Sequence, residues 1–189
     1  MLTLPLAGFV IVAAFGQAVP LAHVLDTSRD TGRYLTPTTA LRHALALIAT
    51  ETPDADRYTM AALAARESHF KPTSGPHGHW PSDPAKMPRN LRHWIAGPCQ
   101  TTEVSIADAV AVRDPLRGYA SCAEQLGAWA RTCRRWGKPV RVCQLAGFAR
   151  GTRDAKAGVR TYADDVTARA RRLRRAVERL VARATQVSS

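Results

Sequence analysis

Three observations predict a mostly α domain. Apolar residues recur at helical spacing on both sides of one irregular stretch, no run shows the apolar-polar alternation of a strand, and Thr36-Pro37, Thr52-Pro53 and Asp114-Pro115 each pair an N-cap residue with a proline suited to the first helical position. The chain has 189 residues, of which 46% are apolar and 22% charged, so it is long and apolar enough for one domain with a real core. No internal repeat or low-complexity linker interrupts it.

Met1 to Leu25 carries no Asp, Glu, Lys or Arg, and Leu4 to Phe15 is an apolar run of the length found in secretory signal peptides. Small residues offer cleavage points after Ala18 or Ala22. The missing basic n-region keeps an uncleaved membrane anchor as the alternative. Four cysteines, Cys99, Cys122, Cys133 and Cys143, follow in one short window. In an oxidising compartment they would form two disulfides in one of three connectivities; in a reducing one they would be four buried thiols. No Cys-x2-Cys pair points to zinc.

Thr36-Pro37 opens a helix whose Leu41, Ala44, Leu45 and Ile48 form one apolar face. Thr52-Pro53 is expected to open the next, which runs to about His69 and must stop before Pro72. Its interior is nearly all apolar from Tyr58 to Ala65, which puts Glu67 in the last turn at the rim of a core. An apolar setting favours the protonated form of a carboxyl group, the form that can donate a proton. The alternative is a helix-end glutamate paired with Arg66 or with water.

Gly and Pro are densest from Pro72 to Pro98. Trp80 and Trp94 there suit stacking on sugar rings as well as they suit ordinary packing. Asp83 reads as a solvated loop residue or as a second carboxylate. His69, His77 and His79 lack the spacing of a metal site, so neither metal nor cofactor is expected. Asp114-Pro115 then opens a helix with Leu116, Tyr119, Ala120, Ala123, Leu126 and Ala130 on one face and Gly137 as its stop. The last helix carries an apolar stripe of Tyr162, Val166, Leu173, Val177 and Leu180.

The net charge is +12, and half of it lies in residues 169 to 183, with seven arginines against one glutamate. Such a helix would attract anionic wall polymers or nucleic acid by long-range charge, or would simply be a solvated face. No recognition motif or interleaved aromatic set favours a specific nucleic acid.

Ala61-Ala-Leu-Ala-Ala-Arg-Glu-Ser-His-Phe-Lys-Pro72 resembles the helix that carries the catalytic glutamate in the soluble lytic transglycosylase family of the lysozyme-like superfamily. Three further segments follow in the family's order. Gly97-Pro-Cys-Gln100 resembles its Gly-Leu-Met-Gln element, Gly147-Phe-Ala-Arg-Gly151 its Tyr-Asn-x-Gly turn, and Arg160-Thr-Tyr-Ala-Asp-Asp-Val166 its closing helix. The departures are Ala149 in place of the turn's Asn, Pro98-Cys99 in place of Leu-Met, and a longer span between Glu67 and Gln100.

The resemblance implies a lysozyme-like helical domain over residues 23–168, with a long irregular loop between the catalytic helix and the glutamine element. A leader at 1–22 would precede it and an Arg-rich helix end at 169–189 would follow. It implies an exported enzyme, in periplasm, cell wall or medium, that acts on peptidoglycan glycan strands. Glu67 would be the catalytic acid and base, and Ser68, Gln100, Phe148 and Tyr162 the substrate-binding set. A hydrolytic muramidase, a non-catalytic wall-binding protein and a basic nucleic-acid-binding helical protein are the alternatives.

Overall fold

The computed structural model describes residues 6–31, 35–70, 94–103, 105–150 and 157–187. Trp80, His77, His79, Asp83 and Gly151 lie outside them. The described residues are mostly helical, in the order α1 (Leu6–Thr27), α2 (Pro37–Thr50), α3 (Arg57–Glu67), β1 (Trp94–Ala96), β2 (Thr101–Glu103), α4 (Ile106–Ala111), α5 (Pro115–Arg135), α6 (Val140–Arg150) and α7 (Ala157–Val187). A single 3-10 turn, Arg29–Thr31, follows α1.

Two of the predicted helix starts are made as expected. The Thr36 hydroxyl accepts the Thr39 N–H at the head of α2, and the Asp114 carboxylate accepts those of Leu116 and Arg117 at the head of α5. The third is displaced. Thr52 and Ala55 instead exchange backbone hydrogen bonds of 3.2 and 3.0 Å in a tight turn, and α3 starts at Arg57. Asp56 wins as the cap because its carboxylate takes both the Thr59 N–H at 3.1 Å and the Thr59 hydroxyl at 2.7 Å. Burial pushes the Asp56 carboxyl up, but the Thr59 hydrogen bonds and the Arg141 guanidinium outweigh it and hold it below the usual range.

α3 forms the centre of the core, buried without interruption from Thr59 to Ala65. Its small Ala61, Ala62, Ala64 and Ala65 let neighbours approach from every side, while Met60 and Leu63 contribute about 2 kcal/mol each by burial. α2, α5 and α7 all pack against it. On α7, Ala163, Val166, Ala170, Leu173 and Val177 are buried, so the apolar stripe faces inward as its spacing predicts. α5 differs in detail: Tyr119, Ala123, Leu126 and Ala130 are buried, yet Leu116 is 51% exposed and Ala120 is exposed. The buried face of α5 is centred on Tyr119, Cys122 and Leu126, which leaves its first turn outside the core.

Ala18, Leu21, Ala22, Val24 and Leu25 of α1 are buried against the core, in contact with α2 and α7. Ala18, Leu21 and Ala22 of the segment that reads as a leader thus supply core side chains. Among the described residues no helix is long and apolar enough to cross a membrane.

The cysteines resolve into Cys99–Cys122 and Cys133–Cys143, with Cα atoms 6.0 and 5.9 Å apart. The first fastens the β1–β2 turn to α5 and the second joins α5 to α6; each stabilises by about 3 kcal/mol on loop-closure grounds. β1 and β2 pair antiparallel, Trp94 opposite Glu103 and Ala96 opposite Thr101. Strands of three residues are too short for alternation to register in sequence. Gly147 to Arg150, read from sequence as part of a turn-like segment, lie inside α6, where a Cβ on Gly147 would meet the Trp129 ring at 2.2 Å. Helix contact, not a turn, explains that glycine.

His43 of α2 is 4% exposed, and its Nδ1 lies 2.8 Å from the hydroxyl of the fully buried Tyr119. Burial, reinforced by Arg42, lowers the His43 pKa from 6.5 to about 4, so the ring is neutral in the fold. The unfolded chain binds a proton there first, and stability is lost as pH falls from the unfolded to the folded value. Between pH 7 and pH 5 the wild type should lose about 2 kcal/mol of unfolding free energy from this group. Urea titrations at both pH values check this, and His43→Gln should flatten the dependence.

Candidate active site

Helix α3 ends because the backbone turns left-handed. Ser68 and Phe70 both donate N–H bonds to the Ala64 carbonyl, at 3.2 and 3.1 Å, and His69 and Phe70 take φ values of 52° and 62°. Two consecutive non-glycine residues in that region cost about 1–3 kcal/mol each. Phe70 is buried and meets the His43 ring edge-on at 5.3 Å, which holds the turn in place. Glu67 is therefore the last helical residue, its side chain 29% exposed at the core rim where the sequence puts it.

α7 runs antiparallel to α3, so that Tyr162 comes beside Glu67, Asp165 beside Arg66 and Arg174 beside Asp56. The Tyr162 hydroxyl donates to Glu67 Oε1 at 2.6 Å across 95 residues of sequence. Burial, then the Glu67 charge and its hydrogen bond, push the Tyr162 pKa far up, so the phenol keeps its proton and acts as donor. Arg66 lies over the Tyr162 ring, 4.6 Å from its centroid, with Nε 4.0 Å from Glu67 Oε1. It also pairs with Asp165, which Arg169 holds from the next turn at 3.2 Å. The carboxylate is thus fixed by a phenol and flanked by a guanidinium that is itself anchored.

The turn at 97–100 is tied down on several sides. Gly97 has φ 75°, and a Cβ there would reach within 2.6 Å of the Val112 carbonyl. Pro98 rests on Gly118 of α5, where an added Cβ would come within 2.4 Å of the proline ring. Cys99 is bonded to Cys122. The Ser68 hydroxyl donates at 2.7 Å to the Pro98 carbonyl, joining this turn to the end of α3. Pro98-Cys99 is where the disulfide and the proline contact fasten the turn.

Of the five predicted site residues, Glu67 and Tyr162 meet directly. Ser68, expected to touch substrate, is 1% exposed, and its hydroxyl is engaged by the Pro98 carbonyl of the neighbouring turn. Gln100 has φ 54°, and its side-chain amide donates to the Gly97 carbonyl at 2.9 Å, closing its own turn. Phe148 is half-buried and packs against the core from α6. Trp94 heads β1, opposite Glu103. Sequence reading missed the contributions of Asp165 and Gly118. The i,i+4 spacing of Asp165 and Arg169 was the available signal for the first; the second needs a partner distant in sequence.

Glu103 of β2 accepts hydrogen bonds of 2.7 Å from both Thr101 and Ser121, which binds the hairpin to α5. Among the described residues no three metal-ligating side chains come together. No family model, curated protein or solved structure matches this chain.

Removing the Ser68 hydroxyl leaves a buried Pro98 carbonyl without that donor, a loss of about 1–3 kcal/mol. Ser68→Ala should show this in chemical unfolding.

Proposed function

We propose that this chain is an exported lytic transglycosylase that cleaves the β-1,4 bond between N-acetylmuramic acid and N-acetylglucosamine in peptidoglycan, with Glu67 as its single acid and base. One observation carries the reading: the 2.6 Å hydrogen bond from Tyr162 to Glu67, since the motif order alone singles out the same two positions as acid and tyrosine. The two disulfides fit an oxidising compartment.

Tyr162 occupies Oε1, so the proton to be transferred sits on Oε2. Glu67 gives it to the glycosidic oxygen as the bond to C1 breaks with oxocarbenium character. The resulting carboxylate takes the proton of the muramoyl C6 hydroxyl as that oxygen bonds to C1, which leaves a 1,6-anhydro end and returns Glu67 to its protonated state. No second carboxylate is required, because no water is activated. The phenol and the anchored Arg66 hold the carboxylate in one orientation through both transfers.

Mass spectrometry of purified sacculi treated with the wild type should reveal 1,6-anhydro muropeptides that disappear with Glu67→Gln. Reducing ends would make the protein a muramidase, and sacculi bound but left intact would make it a wall-binding protein. Tyr162→Phe removes the hydrogen bond that orients the Glu67 carboxyl group and should slow turnover about 10- to 100-fold without unfolding the protein.

A further inference from the structure

Arg171, Arg175, Arg179 and Arg183 are spaced four residues apart on α7 and all are exposed. Successive members are about 6 Å apart along the axis and form one ridge of the helix surface. The apolar face of the same helix is committed to the core through Leu173 and Val177, so the ridge cannot turn inward. No ion pair within 4 Å engages these four among the described residues, whereas Arg169 and Arg174 are paired with Asp165 and Asp56. At the inner end of the ridge, Arg141, Arg171 and Arg174 line a cleft of about 180 Å³ whose single carboxylate is Asp56. Three guanidiniums facing one carboxylate leave a local positive excess beside the ridge.

We infer that this ridge and cleft form a docking surface for a linear polymer of phosphodiester-linked polyols. A row of unpaired cations at regular spacing complements a chain of regularly spaced phosphates, and the cleft accommodates one phosphate at the start of the row. Guanidinium groups suit this ligand because their forked donors match phosphate oxygens. No aromatic residue follows Tyr162 in the chain, and the ring nearest the cleft, Tyr58, packs against the core and is covered by the Arg174 guanidinium 5.1 Å from its centroid, so the ridge offers bases no open ring face to stack on. That absence favours a polymer without bases over single-stranded nucleic acid. The ridge starts about 14 Å along α7 from Tyr162 and extends away from Glu67, so it grips a polymer other than the strand being cut. It would hold the protein on an anionic surface while Glu67 remains accessible.

The test is binding of the full chain to poly(glycerol phosphate), followed by fluorescence anisotropy at several salt concentrations. This probe has no glycosidic bond, so the result stands whether or not Glu67 is catalytic. Arg175→Glu/Arg179→Glu should weaken binding about tenfold or more and lower the salt dependence. Arg117→Glu/Arg131→Glu, an equal change in net charge at exposed positions on α5, should change it less than about twofold. Thermal melts confirm that both variants fold. Equal weakening by the two double variants would reduce the effect to overall charge and overturn the inference. Absence of binding at physiological salt would also overturn it, as would tighter binding of a single-stranded DNA with the same number of phosphates.

Discussion

A helix enclosed on all sides can expose polar atoms only at its ends, and α3 is such a helix. From Thr59 to Ala65 it offers no exposed side chain, and its four buried alanines leave room for helices on every flank. The polar chemistry of this part of the molecule is consequently divided between two termini. At the first, Asp56 caps the helix and gathers Thr59, Arg141 and Arg174; at the second, Glu67 and Ser68 sit where burial ends. Because α7 lies antiparallel along α3, both termini have a partner on the same long helix. Tyr162 serves one end and Arg174 the other.

This arrangement makes the position of Glu67 a consequence of packing. The preceding helix residues from Met60 to Ala65 are buried and apolar, and the left-handed turn at His69 and Phe70 prevents another helical turn from carrying the carboxylate outward. Its freedom is further reduced by the phenol at Oε1 and by Arg66, which Asp165 anchors. The Gly97–Gln100 turn is built to similar tolerance. Its contacts come from three stretches of chain, Ser68, Val112 and the Gly118–Cys122 part of α5, and converge on Gly97, Pro98 and Cys99. The Ser68–Pro98 hydrogen bond joins these two rigid pieces and limits how far the end of α3 can move against the turn.

Much of the fold was legible in the sequence because helical periodicity and helix caps are local. The caps Thr36 and Asp114 and the inward stripe of α7 follow from residues only a few positions apart. The start of α3 was misread because Thr52-Pro53 and Asp56 both satisfy the local rules, and only the Thr59 and Arg141 contacts decide between them. The short hairpin escaped notice for want of length. The need for glycine at position 147 was not legible because the Trp129 ring that forbids a side chain there belongs to another helix.

For the candidate site the same division holds. Sequence alone determined that an acid stands at the end of an apolar helix, that a tyrosine opens the stripe of a later helix, and that positive charge is concentrated near the end of the chain. Those are matters of residue type and near spacing. Tertiary structure decided that the tyrosine donates to the acid, that Cys99 pairs with Cys122, that Ser68 serves the Gln100 turn, and that Asp165 anchors Arg66. Each of these joins groups far apart along the chain, and such a contact depends on how helices cross, which no local pattern encodes.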